Sequence, residues 1–508
     1  MMNQDIINSM KSEYITDMLK KLCANGNTFA AVEALHSACE NEYELADHQF
    51  QEDLHEQLMA DRLILEEGRV YLSQVWRCEE EAACGIMRRL MLPPLPEVVL
   101  RGDVKVGDIT LCREQRNAVE TALSHRLSVM IGGAGSGKTT LIRAIAAEAG
   151  EGCRVLLCAP TGKAARNLSE RTGLPAQTVH CALGIRANGN FLNTTLRDSA
   201  DILIVDEAGM VTLDMLAGLL KAMPMDCRMV FLGDENQLCG VGPGNVLHDL
   251  REIGLPTALL QSNHRQKDAY SALAYNVGSF GALRSAEGLW YDKSFRFEQQ
   301  ETDTGGLEQL ADEAAMGYLL RQSQQVLAPT QETAHRLNQL IWERMRPRLG
   351  DVRKLEWGNH VLWEGERVLI RWNDASQNCS NGDVGELFFT GNLYDETLMA
   401  CVRLPDGRRP MWSVFEDARK LEMLEPAYAM TVHRAQGSEY DTVLLCLGDA
   451  KNMLKRNLFY TAISRAKKRV AVYGTKWALE TAMREQPRGR NSMLPMKVGS
   501  YMSLCEGL

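Results

Sequence analysis

A lysine and two threonines close a glycine-rich loop at residues 132–140, and together these residues can bind a nucleoside triphosphate. The loop reads GGAGSGKTT, which satisfies the phosphate-loop spacing G-x-x-x-x-G-K-[ST]. Its glycines allow backbone N–H groups to approach phosphates closely, and the helix that follows adds its N-terminal partial charge. Lys138 can reach the β- and γ-phosphates, while the Thr139 hydroxyl can ligate Mg²⁺. The predicted ATP-binding residues are Gly132, Gly133, Ala134, Gly135, Ser136, Gly137, Lys138, Thr139 and Thr140.

Two acids and a glutamine follow predicted strands and supply groups that phosphoryl transfer needs. Asp206 and Glu207 come directly after four apolar residues, so we expect them at the end of a buried strand. One carboxylate at this place can hold Mg²⁺ through water, and its neighbour can polarise the attacking water. The Gln237 amide can donate to the γ-phosphate while it accepts from water. The pattern predicts ATP hydrolysis, with Thr139 and Asp206 as the metal ligands.

Positive charge opposite the loop is a further requirement, and two arginines are candidates for it. Arg265 lies in the segment SNHRQ, and Arg465 lies in YTAISRAKK. If a second core supplies such an arginine, hydrolysis depends on closure between the cores. The alternative role for each of these two arginines is a structural ion pair. Gln115 can bind adenine, whose edge offers one donor and one acceptor. The alternative for Gln115 is an ordinary surface glutamine on a helix.

Three short segments carry side chains that suit contacts with a nucleic-acid strand. They read APTGKAARNLSE, TVHCALG and MTVHRAQGSEYD. Hydroxyl, cationic and imidazole groups in these segments can bind phosphates or stack on bases. The histidines are too isolated in the sequence to indicate a metal site. The candidate strand contacts are Thr161, Lys163, His180, Thr431, His433 and Arg434.

The elements that must position these residues alternate between strand and helix from about residue 108. Apolar runs at 154–160, 201–210 and 228–238 each end in polar residues, which predicts parallel strands whose carboxyl ends carry the site. The second half of the chain repeats this pattern without a phosphate loop of its own. Within it, residues 365–404 alternate apolar and polar positions between tight-turn signals, which predicts a small inserted β-barrel.

The first hundred residues predict a different unit. A helix, a turn at 66–68 and a strand at 69–72 resemble a winged helix, and three prolines at 93–96 mark the linker that follows. Between residues 33 and 81 there are 14 acidic residues, 3 arginines and no lysine, which favours packing or partner binding over DNA binding. After about residue 485 little periodicity remains, and this favours a disordered tail.

Composition excludes several classes of protein. The chain has 508 residues, 45% of them hydrophobic and 24% charged, which is typical of about three or four folded domains. No apolar run approaches the roughly 18 residues of a membrane span, and the N-terminus lacks a signal-peptide pattern. The 14 cysteines form no C-x-x-C pair, so we expect reduced thiols in a cytoplasmic protein.

The charge of the chain is unevenly distributed. A net charge of -10 argues against a non-specific coat on nucleic acid. Residues 451–476 nevertheless hold 8 basic residues and no acidic one. This stretch fits a local basic groove on an acidic protein, and its alternative is a solvated charged face.

Eight motifs occur in one order along the chain. They read GGAGSGKTT, APTGKAA, TVH, DEAGM, GDENQL, NHRQ, VHRAQGSEYD and YTAISRAKKR. This series resembles the motif set of superfamily 1 DNA helicases, specifically the RecD-like group of superfamily 1B, over about residues 50–475. The resemblance implies an α/β fold with two RecA-like parallel-sheet motor cores, a helical or winged-helix N-terminal region and an SH3-like β-barrel insertion. It also implies that Gly437 and Glu439 lie at the nucleotide.

The resemblance also predicts the division into domains. These are the N-terminal region 1–100, the first core 101–255, the second core 256–345 and 421–485, the barrel insertion 346–420, and the tail 486–508. Residues 185–199 resemble the short hairpin that splits a duplex, although as a bare sequence they are equally an ordinary loop. Only about 15 residues separate TVHCALG from the DEAGM strand, which leaves no room for the large helical insertions of relatives with the opposite polarity.

The chain departs from the family pattern at three motif positions. Gly209 replaces the usual serine, Arg434 a common lysine, and Ala435 another serine. We expect these changes to leave ATP hydrolysis in place and to alter its coupling to the strand. The N-terminal region is shorter than in the long RecD-like helicases. DNA loading is therefore expected to differ or to need a protein partner, for which the acidic N-terminal region is the candidate surface.

Together these features predict an ATP- and Mg²⁺-dependent helicase of DNA repair or recombination. It is expected to move 5′→3′ along single-stranded DNA and to unwind tailed duplex DNA. One alternative is a DNA-stimulated translocase or regulatory ATPase subunit of a larger complex without autonomous unwinding. Another is a non-motor subunit whose ATP site only switches a complex. A strand-displacement assay beside a DNA-stimulated ATPase assay separates these functions.

Overall fold

A computed structural model describes most of the chain. The described residues are 14–506 except 186–199, 263–290, 293, 303–304, 358–359, 375, 393–395, 449, 451–452 and 488. The candidate Arg265 and the predicted hairpin, apart from Ile185, lie outside these residues. Within the described ranges, no helix combines the length and the apolar composition that crossing a membrane requires.

The N-terminal region combines helices with a small antiparallel sheet. Its elements are α1 (Tyr14–Ala24), β1 (Ala30–Ala31), α2 (Val32–Tyr43), α3 (Asp47–Met59), β2 (Leu63–Glu66), β3 (Arg69–Leu72) and α4 (Ser73–Leu90). β3 pairs with both β2 and β1, and it has the bounds that the sequence predicts. The turn between β2 and β3 contains Glu67 and Gly68, which both adopt positive φ. The assignment of this region as a winged helix remains a prediction.

The first core follows a short hairpin made of β4 (Lys105–Val106) and β5 (Ile109–Thr110). Its helices and strands alternate along the chain, as predicted. They are α5 (Arg113–Ser124), β6 (Leu127–Gly132), α6 (Lys138–Glu148), β7 (Val155–Ala159), α7 (Gly162–Thr172), β8 (Ala176–Thr178), α8 (Val179–Ala182), β9 (Ile202–Val205), α9 (Leu213–Ala222), β10 (Arg228–Gly233), α10 (Val246–Glu252) and β11 (Thr257–Leu260).

The sheet of the first core has the order β11-β6-β10-β9-β7-β8, and each pair of neighbouring strands is parallel. This confirms the predicted parallel α/β core. The predicted boundary between residues 255 and 256 is wrong, because β11 pairs with β6 and so belongs to the first core. β11 is a short edge strand, and its pairing with a strand more than a hundred residues earlier leaves no local signal in the sequence.

Burial on both faces explains why the strands of this sheet read as continuous apolar runs. Along β9, Ile202 and Ile204 pack into one hydrophobic cluster, whereas Leu203 and Val205 pack into the cluster on the opposite face. Helices cover both faces, and the polar site residues follow the carboxyl ends of β6, β9 and β10. This arrangement sets the phosphate loop after β6 and the acids after β9 at the same edge of the sheet.

The second core begins with β12 (Tyr291–Asp292), β13 (Phe295–Gln299), α11 (Gly305–Leu319), β14 (Gln324–Ala328) and α12 (Gln331–Leu349). A β-rich insertion then interrupts it. The inserted elements are β15 (Lys354–Trp357), β16 (His360–Trp363), β17 (Arg367–Ile370), β18 (Val384–Thr390), β19 (Met399–Arg403), β20 (Met411–Ser413), α13 (Ala418–Leu421) and β21 (Leu424–Pro426). The core continues with β22 (Ala429–Thr431), β23 (Tyr440–Cys446), α14 (Arg456–Ile463), β24 (Ala466–Gly474) and α15 (Lys476–Arg484).

The sheet of the second core has the order β12-β13-β24-β23-β14-β22. Its strands are parallel except for the terminal pair β12 and β13, so the predicted second parallel core is present. The inserted sheet, β20-β19-β18-β17-β21, is antiparallel throughout. Because β21 pairs with β17, the insertion extends beyond the predicted limit at residue 420. Its SH3-like character remains a prediction.

The inserted sheet also touches the first core. Arg166 on α7 forms an ion pair with Asp383 at 2.6 Å and donates to the Ser380 hydroxyl at 3.2 Å. Arg408 pairs with the same carboxylate from within the insertion, at 3.3 Å. Asp383 is buried, so both arginines neutralise a charge that water does not reach. The turn before β18 is thereby held against the helix that follows β7.

The expectation of a disordered tail is wrong. Residues 494–506 form helix α16 (Leu494–Glu506), which packs on α4 through Leu494 and Val498. Ahead of this helix, the Arg490 guanidinium donates to Gly244 O at 2.9 Å and to Gly240 O at 2.7 Å. The stabilising partners all lie far earlier in the chain. Local periodicity therefore could not predict the order of this segment.

A buried charge cluster anchors α16 to the N-terminal region. The Lys497 ammonium lies 2.6 Å from a Glu80 oxygen, 3.4 Å from Glu66 and 3.6 Å from Glu79. It also lies 4.8 Å from the centre of the Trp76 ring. Glu79 is fully buried and accepts the backbone N–H of Met493 at 3.0 Å. Among the described residues, Lys497 is the cation that pairs with all three of these carboxylates.

Replacing this lysine should release the tail. We expect Lys497→Met to lower the free energy of opening of α16 by about 3 kcal/mol, because it leaves the buried Glu79 without its cation. Amide hydrogen exchange at residues 494–506 measures this opening and should become roughly a hundredfold faster. The matched control is Lys468→Met, which removes an exposed ion pair with Asp441 and should change stability by less than about 1 kcal/mol. Unchanged exchange in Lys497→Met would contradict the anchoring role.

Candidate nucleotide site and inter-core contacts

The phosphate loop leaves β6 at Gly132 and reaches α6 at Lys138. A Cβ atom on Gly132 would lie 2.4 Å from the Ser136 hydroxyl oxygen, so any larger residue there would displace that hydroxyl. Gly135 and Gly137 adopt φ of 83° and 86°, in the left-handed region that glycine occupies readily. The sequence therefore folds into a tight loop that exposes backbone N–H groups in front of the helix N-terminus. This geometry suits phosphate oxygens.

Within this loop, Lys138 folds back over the backbone. Its ammonium donates to Gly132 O at 2.6 Å and to Gly133 O at 3.4 Å. The Ser136 hydroxyl is buried and has no hydrogen-bond partner among the residues that the structure describes. A cation and an unpaired hydroxyl at a glycine cradle fit a phosphate chain, as the sequence predicts. Thr139 and Thr140 follow Lys138 in the first turn of α6, and both are half-buried.

The two predicted acids lie together after β9. Glu207 adopts φ of 54°, which is uncommon for a residue other than glycine, and its N–H donates to Asp206 Oδ1 at 2.9 Å. Burial raises the pKa of Asp206 to about 6; the charge of Glu207 adds to this effect, whereas Lys138 opposes it. A carboxylate in this setting is stabilised by a cation. The donor set therefore fits the predicted Mg²⁺ site, with Thr139 as the second protein ligand.

Gln115 is not a surface residue. It is 3% exposed at the start of α5, where its Oε1 accepts the Cys112 N–H at 3.2 Å. This hydrogen bond fixes the side-chain amide and caps the helix. The alternative of an ordinary surface glutamine is thus excluded. Its predicted contact with adenine remains a prediction.

Gln237 and Arg465 meet at the boundary between the cores. The Arg465 guanidinium donates to Gln237 Oε1 at 3.0 Å, and Gln237 Nε2 donates to Asp234 Oδ2 at 3.3 Å. Arg465 is 4% exposed and also donates to Thr461 O at 3.1 Å and to the Ser464 hydroxyl at 3.1 Å. Across the described ranges these partners are neutral oxygens and include no carboxylate. Within the described residues, Arg465 therefore does not form the structural ion pair that was the alternative to a role in hydrolysis.

The candidate strand contacts divide between the two cores. On α7, the Thr161 hydroxyl caps the helix by accepting the Ala164 N–H at 3.2 Å. The Lys163 ammonium lies 5.6 Å from the centre of the Tyr440 ring, which belongs to the second core. His180 lies on the short helix α8 and is half-buried. Lys163 is therefore the residue of this group that the structure brings against the other core.

The contacts from the second core follow β22. Thr431 is buried and accepts the Arg434 N–H at 3.4 Å, and Arg434 forms an ion pair with Glu425. Burial lowers the pKa of His433, and the nearby charge of Arg490 acts in the same direction. Both effects favour the neutral form of the His433 imidazole, which suits stacking or hydrogen bonding better than ion pairing.

Gly437 and Glu439 contact α7 of the first core. A Cβ atom on Gly437 would lie 3.0 Å from the Ala164 Cβ, and Gly437 O accepts from the Asn167 amide. Glu439 forms an ion pair with Arg171 at 2.7 Å. These contacts join the cores on the side of the strand candidates. A direct contact of either residue with nucleotide remains a prediction.

Comparisons with known proteins identify the family of the chain. Residues 110–288 match a family model described as AAA domain, and residues 426–473 match the UvrD-like helicase C-terminal domain. The ATP-dependent RecD2 DNA helicase of Deinococcus radiodurans is 32% identical over 465 residues, which covers 86% of this chain and 59% of that protein. The RecBCD enzyme subunit RecD of Mycolicibacterium smegmatis is 32% identical over 476 residues, with coverage of 82% and 80%. The chain belongs to the RecD-like family of DNA helicases.

The RecD-like chain spans less than two thirds of the Deinococcus relative. Among solved structures, Bacteroides Pif1 bound to single-stranded DNA aligns with a TM-score of 0.48 and 18% identity. That alignment covers 72% of this chain and 92% of the other.

Sequence reasoning gave no role to three further residues that connect the two cores of this RecD-like chain. Tyr460 donates to Asp234 Oδ2 at 2.6 Å, and the Thr461 hydroxyl accepts the Leu238 N–H at 2.8 Å. The Gln436 amide donates to Leu238 O at 2.7 Å. One signal was available, because Asp234 follows β10 just as Asp206 follows β9.

The departure at Gly209 is not forced by packing. A Cβ atom at this position would lie 3.7 Å from Asp234 O, which is ordinary contact, and 4.0 Å from Leu247. A serine of the usual family motif would therefore fit. Nothing in the structure explains the choice of glycine here.

Glu207 provides the sharpest test of the hydrolytic group. We expect Glu207→Gln to keep nucleotide affinity and to lower the turnover number by about 10²- to 10⁴-fold, because an amide cannot accept a proton. Equilibrium binding of a fluorescent ATP analogue and steady-state ATPase assays measure the two effects separately. Glu252→Gln, an exposed acid on α10, is the control and should retain both. A loss of affinity as large as the loss of rate would contradict the assignment.

Arg465 provides a test of the second core. We expect Arg465→Ala to lower the ATPase rate by about 10³-fold or more, the range known for arginines that neutralise charge in phosphoryl transfer. Lys468→Ala, which removes an exposed cation from the same basic stretch, should retain the rate. A loss below tenfold in a folded Arg465→Ala protein would leave Arg465 with a purely structural role.

Proposed function

We propose that this chain moves 5′→3′ along single-stranded DNA and unwinds the duplex ahead of it, powered by ATP. The observation that carries the proposal is the meeting of the two cores at the phosphate loop. There the Tyr460 hydroxyl accepts the Ala134 N–H at 3.3 Å, and Arg465 reaches Gln237. A nucleotide bound at such a boundary changes the relation between the cores each time it is hydrolysed. Membership of the RecD-like family supports the substrate class and the polarity.

For binding, Lys138 exchanges the loop carbonyls that now hold its ammonium for phosphate oxygens. Thr139 and Asp206 are the residues that would hold Mg²⁺, which when bound supplies charge neutralisation on the phosphates. Glu207 accepts the proton of the attacking water, and Gln237 orients that water through its amide. Each of these groups lies at the carboxyl edge of the same sheet, so little rearrangement is needed to align them.

Hydrolysis then depends on the second core, because Arg465 belongs to that core. Its guanidinium neutralises the charge that develops on the phosphoryl oxygens. Lys163 from the first core and His433 and Arg434 from the second core are proposed to hold the DNA strand. Opening and closing of the cleft would move these two groups relative to each other. That movement would step the strand along the protein.

The flanking regions have proposed roles as well. We infer that the N-terminal region is a winged-helix unit that docks a protein partner through its acidic surface. The insertion, proposed to be SH3-like, is held against α7 by the Arg166–Asp383 ion pair. That contact supports a role for the insertion in fixing the helix that carries Lys163. Residues 185–199 are proposed to split the duplex, and all of them except Ile185 lie outside the described part of the chain.

A second candidate function is a DNA-stimulated translocase that acts as a subunit of a larger complex. The observation that favours it is the name of the mycobacterial relative, which is a RecBCD enzyme subunit. Such a subunit would hydrolyse ATP on single-stranded DNA and fail to displace a strand when alone. An ATPase assay with and without DNA, beside a strand-displacement assay, distinguishes the two functions.

The polarity is tested with matched duplexes that carry a 5′ tail, a 3′ tail or blunt ends. We expect unwinding of the 5′-tailed substrate only, and weaker binding as salt rises, because phosphate contacts release counterions. Lys138→Ala is the control for ATP dependence and should bind single strands without unwinding. Faster unwinding of the 3′-tailed duplex would overturn the proposed polarity. ATP hydrolysis on single strands without any unwinding would favour the translocase.

A further inference from the structure

The phosphate loop already has a partner from the second core. The Ala134 N–H donates to the Tyr460 hydroxyl oxygen at 3.3 Å, and the same hydroxyl donates its proton to Asp234 Oδ2 at 2.6 Å. Tyr460 lies on α14 and is 3% exposed. Its oxygen therefore acts as an acceptor towards the loop and as a donor towards the acid after β10. Tyr460 is the first residue of the motif YTAISRAKKR, and the motif pattern alone assigns no role to it.

The position of this hydroxyl matters because loop N–H groups are the donors that bind phosphate oxygens. A phenolic oxygen and a phosphate oxygen are both acceptors, and the Ala134 N–H has one proton to share between them. The Lys138 ammonium is a second phosphate-binding donor that a protein acceptor now occupies, because it donates to a loop carbonyl. The Ala134 N–H is thus paired with the second core, and the Lys138 ammonium is paired with the loop itself.

The approach of Tyr460 depends on a glycine. A Cβ atom on Gly133 would lie 3.1 Å from the Tyr460 hydroxyl oxygen, which is tighter than most real Cβ contacts. Gly133 also leaves the Asp234 carboxylate within reach, since its Cβ position is 4.0 Å from Asp234 Oδ2. A ring from the second core can therefore reach the first half of the loop.

The contact continues towards the candidate arginine. Asp234 accepts from both Tyr460 and Gln237, and Gln237 accepts from Arg465 at 3.0 Å. Burial and the charge of Asp234 raise the pKa of Tyr460 well above its usual value, so the hydroxyl remains protonated. Loop, Tyr460, Asp234, Gln237 and Arg465 form one continuous hydrogen-bonded chain.

We propose that Tyr460 is a positioning residue that competes with nucleotide phosphate for the loop and transmits the outcome to Arg465. When a phosphate oxygen takes the Ala134 N–H, the Tyr460 hydroxyl is left with Asp234 as its partner. The second core then loses a contact with the loop and is free to place Arg465 against the phosphates. This inference rests on the nucleotide site proposed above. It adds Tyr460 as the residue whose contacts change when a nucleotide occupies that site.

The test is Tyr460→Phe, which keeps the ring and removes only the hydroxyl. Binding of a fluorescent, non-hydrolysable ATP analogue is measured without DNA. We expect affinity to rise by about two- to tenfold, the range for loss of one competing hydrogen bond. The turnover number with single-stranded DNA should fall, because Asp234 and Gln237 lose part of their alignment. A lower KM together with a lower kcat is the signature of this role.

Two control variants separate this role from simple damage. Tyr473→Phe removes another buried hydroxyl of the second core, which contacts Glu313 and Arg296. Thr461→Val removes an inter-core hydrogen bond to Leu238 N without touching the loop. Neither control should tighten nucleotide binding. Weaker or unchanged binding by Tyr460→Phe, or equal tightening by Tyr473→Phe, would overturn the proposal. Because the binding assay uses no DNA, failure of the wild-type protein to unwind duplex would overturn the proposed function alone.

Discussion

The buried carboxylate of Asp234 needs hydrogen-bond donors, and both cores supply them. Asp234 is 4% exposed, so water cannot solvate its charge, and it accepts hydrogen bonds from Tyr460 and Gln237 instead. An unpaired buried carboxylate would be strongly unfavourable. The two cores are therefore held in register by a polar requirement as well as by apolar packing. The same requirement draws α14 up to the phosphate loop.

Parallel sheets bring the residues of this site together, because the carboxyl ends of their strands meet at one edge. Each core carries its polar residues where strands end, and burial of both sheet faces leaves few other places for them. In the first core, the loop after β6, the acids after β9 and Asp234 after β10 consequently share one edge. The second core contributes α14, a helix whose Tyr460 and Thr461 are buried against that edge. The site is thus a boundary between two similar units and belongs to neither one alone.

Local patterns in the sequence predicted much of this structure. The phosphate loop, the strand before Asp206 and the inserted antiparallel strands depend on residues close together in the chain, and spacing alone reveals them. The contact of Tyr460 with Asp234 joins residues 226 positions apart, so no local pattern encodes it. The same holds for the strand β11, whose partner lies far upstream, and for α16. Periodicity in a sequence reports only on residues that are close together in the chain. Features that depend on distant partners were therefore missed.

The anchored tail has a consequence for biosynthesis. The Thr28 N–H donates to Asn491 O at 2.8 Å, across a separation of 463 residues. At ribosomal speeds of about 5–20 residues per second, roughly half a minute to one and a half minutes pass between the synthesis of these two partners. During that time Glu79 has no lysine from α16 beside it, and the face of α4 that α16 covers is open to water. The packing of the nascent N-terminal region therefore stays incomplete until α16 has been synthesised.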